Sequence, residues 1–199
     1  MENNLILASG SEIRATLLRN AGISPRIIKP RVDEEQVKAA LLAEQARPRD
    51  IADVLAEMKA LKVSEKHPEA LVIGCDQVLD LDGQMLSKPE SPETARAQLQ
   101  QMRGNRHMLL TAVVICEAGK PIWRHIGRVR LRMRDFSDSY LDSYLQRNWE
   151  DIRHCVGGYQ LEGEGVRLFS RIEGDYFTVL GLPLIEMLNY LTLRGDLET

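Results

Sequence analysis

The 199-residue sequence has no cysteine pair in a CxxC spacing, and Cys75, Cys116 and Cys155 stand far apart, two of them inside apolar runs. That usage fits reduced, mostly buried thiols rather than a disulfide scaffold. His67, His107, His125 and His154 share no metal-ligand spacing with one another or with the cysteines, so a structural zinc is not expected. A basic excess is also missing: 26 Lys and Arg against 29 Asp and Glu leave a net charge of -3. This gives no electrostatic case for a nucleic-acid partner. The first apolar run, "LILA", has four residues and no basic region before it. No run approaches the length of a bilayer span, so neither a membrane partner nor a signal peptide is expected and the protein is read as cytoplasmic. There is no GxGxxG, no GxxxxGK[ST], no internal repeat, no low-complexity segment and no linker. The dinucleotide and P-loop readings fail.

What is present is an ordinary globular composition, 44% hydrophobic and 28% charged, in a chain long enough to bury roughly 70% of its unfolded surface. Strand and helix signals alternate. "NLILAS" reads as a buried strand, and Ser11 as the cap of a helix over Glu12 to Asn20 with Gly22 past its end. "RIIKP" reads as a second strand, followed by a helix from Asp33 and Glu34 to about Arg47. Pro48 opens another helix to about Lys66, with Ala52, Leu55, Ala56, Ala60 and Val63 on one face and Lys59 sharing it. "LVIGC" is a strand ending at Asp76, and "QVLDLDGQML" a hairpin around Asp82-Gly83.

Ser91 and Pro92 start a helix that Gly104 ends, and "HMLLTAVVIC" is a strand. "GRVRLRMRDF" alternates Val129, Leu131 and Met133 with Arg128, Arg130, Arg132 and Arg134, which reads as a half-buried strand with a solvated, aggregation-resistant edge. Ser137 caps a short helix, two glycine-broken strands follow through "GGYQLEGEGVRLFSRIEGDYFTVLGLP", and Pro183 opens a final helix. The expectation is one α/β unit with two lobes around a cleft.

Two features carry chemistry. In "LILASGSEIR" a strand meets a helix through Ser9, Gly10 and Ser11, with Arg14 one turn in; backbone N–H groups and the positive helix end there form a candidate anion site. In "LVIGCDQVLDLDGQMLSK" a carboxylate, Asp76, interrupts an otherwise apolar run. If it serves chemistry, charged residues must converge on it from elsewhere in the chain.

Read together, "LASGSEIR", "VDE" (Val32 to Glu34), "LAEMKA" ending at Ala60, "IGCDQVLDLDGQMLSKP", "GNRH", "CVGGYQLEG" and "IEGDYFTVLGLPL" resemble the ordered motifs of the Maf family of nucleotide pyrophosphatases. The resemblance runs from Leu5 to Leu184. It implies a single Maf/ITPase-like domain over residues 1–199, with a mixed, twisted sheet flanked by helices and two lobes around a nucleotide cleft. It further implies hydrolysis of a nucleoside triphosphate between its α and β phosphates with a divalent metal, Mg²⁺ or Mn²⁺, and a homodimer as the candidate assembly. Asp76 stands at the family's catalytic carboxylate and Lys59 and Lys88 at its phosphate-holding lysines, joined by Ser9, Ser11 and Arg14. Glu34 is paired with Asp76 as metal ligand, with Asp33 as the alternative.

Gln77 and Glu162 resemble the branch associated with 7-methylguanosine triphosphate, and chemistry supports the match. A glutamate accepts two hydrogen bonds from the N1–H and N2–H₂ edge of guanine, and the positive charge of a methylated guanine suits a carboxylate and an aromatic such as Tyr159. Glu12 replaces the family's proline, and Ile13 occupies a further position linked to base choice. The other class of function is a non-catalytic regulator of cell division that binds nucleotide or protein at the same place.

Overall fold

The computed structural model describes residues 4–198; residues 1–3 and 199, the ends of the expected domain, lie outside it. The chain divides into two compact units. The first comprises Met1–Gln77, Thr111–Gly127 and Asp175–Thr199, and the second Val78–Leu110 and Arg128–Gly174.

Within the first unit, β1 (Leu5–Ala8) pairs in parallel with both β2 (Arg26–Ile27) and β3 (Leu71–Leu81). β1 therefore lies between its two successors in the chain. Strand order reverses there, and β1 ends at Ala8 opposite Gly74, two residues before Asp76 on β3. Helix α1 (Glu12–Asn20) follows β1, and α2 (Glu34–Ala43) and α3 (Pro48–Ser64) connect β2 to β3. Leu7, Leu18, Ile73, Val113, Ile115, Leu182 and Met187 form the apolar centre of this unit. β2 is shorter than "RIIKP" suggests, and α2 stops at Ala43, since Gln45 turns with φ 59.

The second unit holds the hairpin from β3 to β4 (Gln84–Leu86), with Leu81 opposite Gln84. Asp82 and Gly83 have φ of 51 and 88, the doubly left-handed turn that two-residue hairpins favour. Along the chain come α4 (Pro92–Met102), then β5 (Arg106–Glu117) and β6 (Lys120–Met133), whose Thr111–Gly127 stretch belongs to the first unit, and α5 (Asp138–Ile152). Ser91 and Ser137 cap α4 and α5 as expected, accepting from the N–H of Thr94 and Tyr140.

β7 (Phe169–Glu173) pairs antiparallel with β6, and the strand order is β2-β1-β3-β5-β6-β7 with β4 beside β3. The arginine row on β6 is thus no sheet edge. Its side chains form the solvated face of a strand between two neighbours, while Val129, Leu131 and Met133 are buried.

The second of the two expected C-terminal strands is also replaced. After a 3-10 turn (Glu164–Leu168) and β7 comes a one-turn helix, α6 (Tyr176–Val179), which Asp175 caps by accepting from the Thr178 N–H at 2.7 Å. A side-chain cap outweighs the β-propensity of "YFTV". Helix α7 (Leu184–Arg194) closes the fold. Among the described residues no helix is long and apolar enough to cross a membrane.

Candidate active site

Asp76 does not end a strand. β3 runs unbroken from Leu71 to Leu81, and Asp76 sits in its middle, 6% exposed. A buried carboxylate in a strand interior needs a partner, and α3 supplies it. Lys59 Nζ lies 2.7 Å from Asp76 Oδ1 and 3.0 Å from Glu34 Oε1. The approach depends on small residues. A β-carbon on Gly74 would fall 2.2 Å from the Ala56 carbonyl oxygen and 2.7 Å from the Ala60 nitrogen, so only glycine lets α3 lie this close to β3. That contact delivers Lys59, itself 6% exposed, to the carboxylate.

Glu34, in the first turn of α2, is the acid that reaches Lys59. Its neighbour Asp33 is occupied otherwise, capping α2 by accepting from the Gln36 N–H at 3.1 Å. The second carboxylate oxygen of Asp76, Oδ2, is buried and accepts no hydrogen bond among the described residues. Such an atom is costly unless something arrives to use it.

Arg14 links this centre to the first loop. Its Nε donates to the Gly181 carbonyl at 2.6 Å, and its Nη1 donates to the Cys75 carbonyl at 3.1 Å and to Ser9 Oγ at 3.2 Å. Ser9 Oγ also accepts from the Ser11 N–H at 3.2 Å. Ser11 itself makes no side-chain cap, contrary to expectation, because Ser9 has taken its N–H and its own hydroxyl bonds no helix N–H. Glu12 turns from the loop to Arg19, 2.6 Å away. Burial pushes the Cys75 thiol up to about 11, with Arg14 and Lys59 opposing, so it stays protonated and inert.

Gln77 Nε2 donates to Thr111 Oγ1 at 2.8 Å and to the carbonyls of Thr178 and Val179 at 3.1 and 3.0 Å. Its amide nitrogen is therefore spent on the α6 turn, two residues before the carbonyl that holds Arg14. Thr111, Thr178 and Gly181 take part in the site, and sequence reasoning missed them: they lie far along the chain and act partly through backbone oxygens. Ile13 is partly buried against the apolar centre.

Lys88 and Glu162 belong to the second unit, and both are exposed. Burial raises the Cys155 thiol above its ordinary value; the Gln160 hydrogen bond opposes this, Glu162 adds to it and Lys88 lowers it again. Tyr159 is not presented to solvent. It is buried, with its hydroxyl 2.8 Å from His107 Nε2 and its ring edge-on to Phe169 at 4.8 Å.

The first unit thus brings together Ser9, Arg14, Glu34, Lys59, Asp76 and Gln77, and the second carries Lys88 and Glu162. Known proteins carry the same full-length pattern. A protein of Ruegeria pomeroyi named nucleoside triphosphate pyrophosphatase is 68% identical over 195 residues, covering 98% of each chain. One of Caulobacter vibrioides with the same name is 53% identical over 191 residues, 96% of each. A 7-methyl-GTP pyrophosphatase of Brucella suis biovar 1 is 46% identical over 188 residues, 94% of each. The sequence profile described as Maf-like protein matches residues 4–193 and so takes in both the buried carboxylate centre and the unit bearing Lys88 and Glu162; the chain belongs to that family.

Proposed function

We propose that this chain hydrolyses a nucleoside triphosphate between its α and β phosphates to the monophosphate and pyrophosphate, with 7-methylguanosine triphosphate or another modified nucleotide as substrate. The protein is an enzyme, a nucleoside triphosphate pyrophosphatase like its full-length relatives. One observation carries the assignment of the reacting group: Lys59 holds one oxygen of buried Asp76 and leaves Oδ2 without a donor, close to the Ser9–Arg14 loop. A module that only bound nucleotide would gain nothing from an unsatisfied carboxylate oxygen.

In this reading Asp76 Oδ2 takes a proton from water as the water oxygen bonds to the α phosphorus. The bond between the α phosphorus and the oxygen that bridges it to the β phosphate breaks, and that oxygen leaves with the electron pair as part of pyrophosphate. Lys59 fixes the carboxylate, and Arg14, anchored on three sides, offers a guanidinium to phosphate oxygens. Lys88 is assigned to the phosphates. Glu162 accepts from the guanine edge, and Gln77 and Ile13 tune base choice.

Asp76 and Glu34, two carboxylates meeting at one lysine, offer the hard oxygen donors that Mg²⁺ or Mn²⁺ takes in small number together with phosphate oxygens. These two residues would hold the ion, which when bound supplies positive charge against the triphosphate. Residues 1–199 acting as one catalytic domain, as a homodimer in the cytoplasm, complete the reading. The test is a panel of canonical and modified triphosphates with Mg²⁺, scored for pyrophosphate against single phosphate release. Release of single phosphate, or no turnover of any triphosphate, would overturn it.

A further inference from the structure

We propose that Lys29 is a further binding residue for the substrate's polyphosphate, seated on the Ser9–Gly10–Ser11 loop; this rests on the hydrolase reading above. Parallel pairing sets the position. Leu7 of β1 lies opposite Ile27 of β2, and the Ile28 N–H donates to the Leu7 carbonyl at 3.1 Å. Lys29 therefore leaves its strand beside the end from which Ser9 and Gly10 leave theirs.

Its stem lies across Gly10. A β-carbon built on Gly10 would meet Lys29 Cδ at 3.3 Å and Cε and Cγ at 3.5 Å. Gly10 does not have the positive φ of the turn glycines, so the close approach of this side chain, rather than backbone strain, is what glycine allows here.

Electrostatics gives the lysine a task. In the first unit's site Lys59 lies between Asp76 and Glu34, and with Arg14 the two cations are cancelled by the two carboxylates. A triphosphate brings several negative charges, so a further cation beside the loop has charge to meet. Lys29 is exposed and makes no ion pair or hydrogen bond among the described residues, so its charge is uncommitted. The buried, unpartnered Asp76 Oδ2 belongs to the residue after Cys75, whose carbonyl accepts from Arg14 Nη1, the atom that also donates to Ser9 Oγ of this loop, so a group ready for a ligand stands close by. A long ammonium stem at the rim suits phosphate oxygens as a mobile point charge, complementing the fixed fork of Arg14.

The test uses the full chain with Mg²⁺ and whichever triphosphate the wild type turns over best. Lys29→Ala should raise KM about tenfold with kcat within about twofold, because an exposed charge-assisted contact is made equally in ground and transition states. Inorganic triphosphate as competitor should lose affinity by the same factor, while nucleoside monophosphate should compete as before. Lys29→Arg should recover most of the loss, and Gly10→Ala, which pushes the stem aside, should fall between. An unchanged KM in Lys29→Ala, or a fall in kcat without a change in KM, overturns the proposal. Wild-type turnover in the same assay keeps that failure separate from failure of the hydrolase reading.

Discussion

In the first unit the charged residues of the site are held by bonds, Lys59 to Asp76 and Glu34, and Arg14 to Ser9 and two carbonyls, with Lys59 and Asp76 buried and Arg14 and Glu34 half-buried. In the second, Lys88 and Glu162 stand in solvent, and the buried polar pair is His107 with Tyr159, part of the core. The contrast separates two needs. Bond breaking requires groups fixed in advance and shielded from water. Exposed side chains, by contrast, can be exchanged at little cost to the fold.

The strongest way to break this comparison is to remove one lysine from each unit. Lys59→Met leaves a buried carboxylate without its cation and should cost about 3–5 kcal/mol in stability. Lys88→Met should cost within about 0.5 kcal/mol, as surface changes do. Urea unfolding of the two variants decides it, and equal losses would erase the distinction.

The buried pair of the second unit gives a pH test. Burial pulls His107 down to about 4 from 6.5, so the folded protein keeps it neutral while the unfolded chain takes up a proton. With the folded value depressed, stability is complete above about pH 6.5 and falls as pH drops toward 4, by on the order of 3 kcal/mol from this group. Urea midpoints from pH 7 to 4.5 should decline in the wild type. They should decline less in His107→Gln, and matching slopes would remove His107 as the cause.

Asp76→Asn keeps the shape of the centre and loses the basic oxygen. Turnover should fall by about 100-fold or more, roughly 2.7 kcal/mol, with nucleotide still bound. Pyrophosphate release and a separate binding titration check the two halves, and activity within a few-fold of wild type would take Asp76 out of the chemistry.

The smallest effect belongs to the exposed side. Glu162→Gln should leave stability unchanged within about 0.5 kcal/mol and lower the kcat/KM ratio of 7-methylguanosine triphosphate over uridine triphosphate by at least about tenfold, because an amide offers one acceptor where two donors arrive. An unchanged ratio would move base choice to Ile13 or to Gln77.

Local signals were legible where a few neighbouring residues decide the outcome. Helix α1 spans Glu12–Asn20 as read, Asp82-Gly83 makes the hairpin turn, and Ser91 and Ser137 cap their helices. Signals failed where a distant partner decides. Asp76 looked like a strand terminus, since a carboxylate is costly in a buried strand, and only Lys59 from α3 makes its place in mid-strand tenable. The arginine row was read as an edge because alternation marks a half-buried strand without saying how many neighbours it has; β7, from far along the chain, supplies the second.

By itself the sequence determined most element types and their order, the family motifs and the residues with chemistry to offer, because these follow from spacing and side-chain type; the turn of helix at Tyr176–Val179 is the exception. It also left two neighbouring acids, Asp33 and Glu34, as alternatives for one role. Tertiary structure alone decided that Glu34 reaches Lys59 while Asp33 caps a helix, that Arg14 is held by Cys75 and Gly181, and that Tyr159 is core. The reason is the contact of α3 with β3 at Gly74 and the parallel pairing of β1 with β2 and β3. Both join residues many positions apart, and no local pattern encodes which of several charged neighbours such a contact will bury.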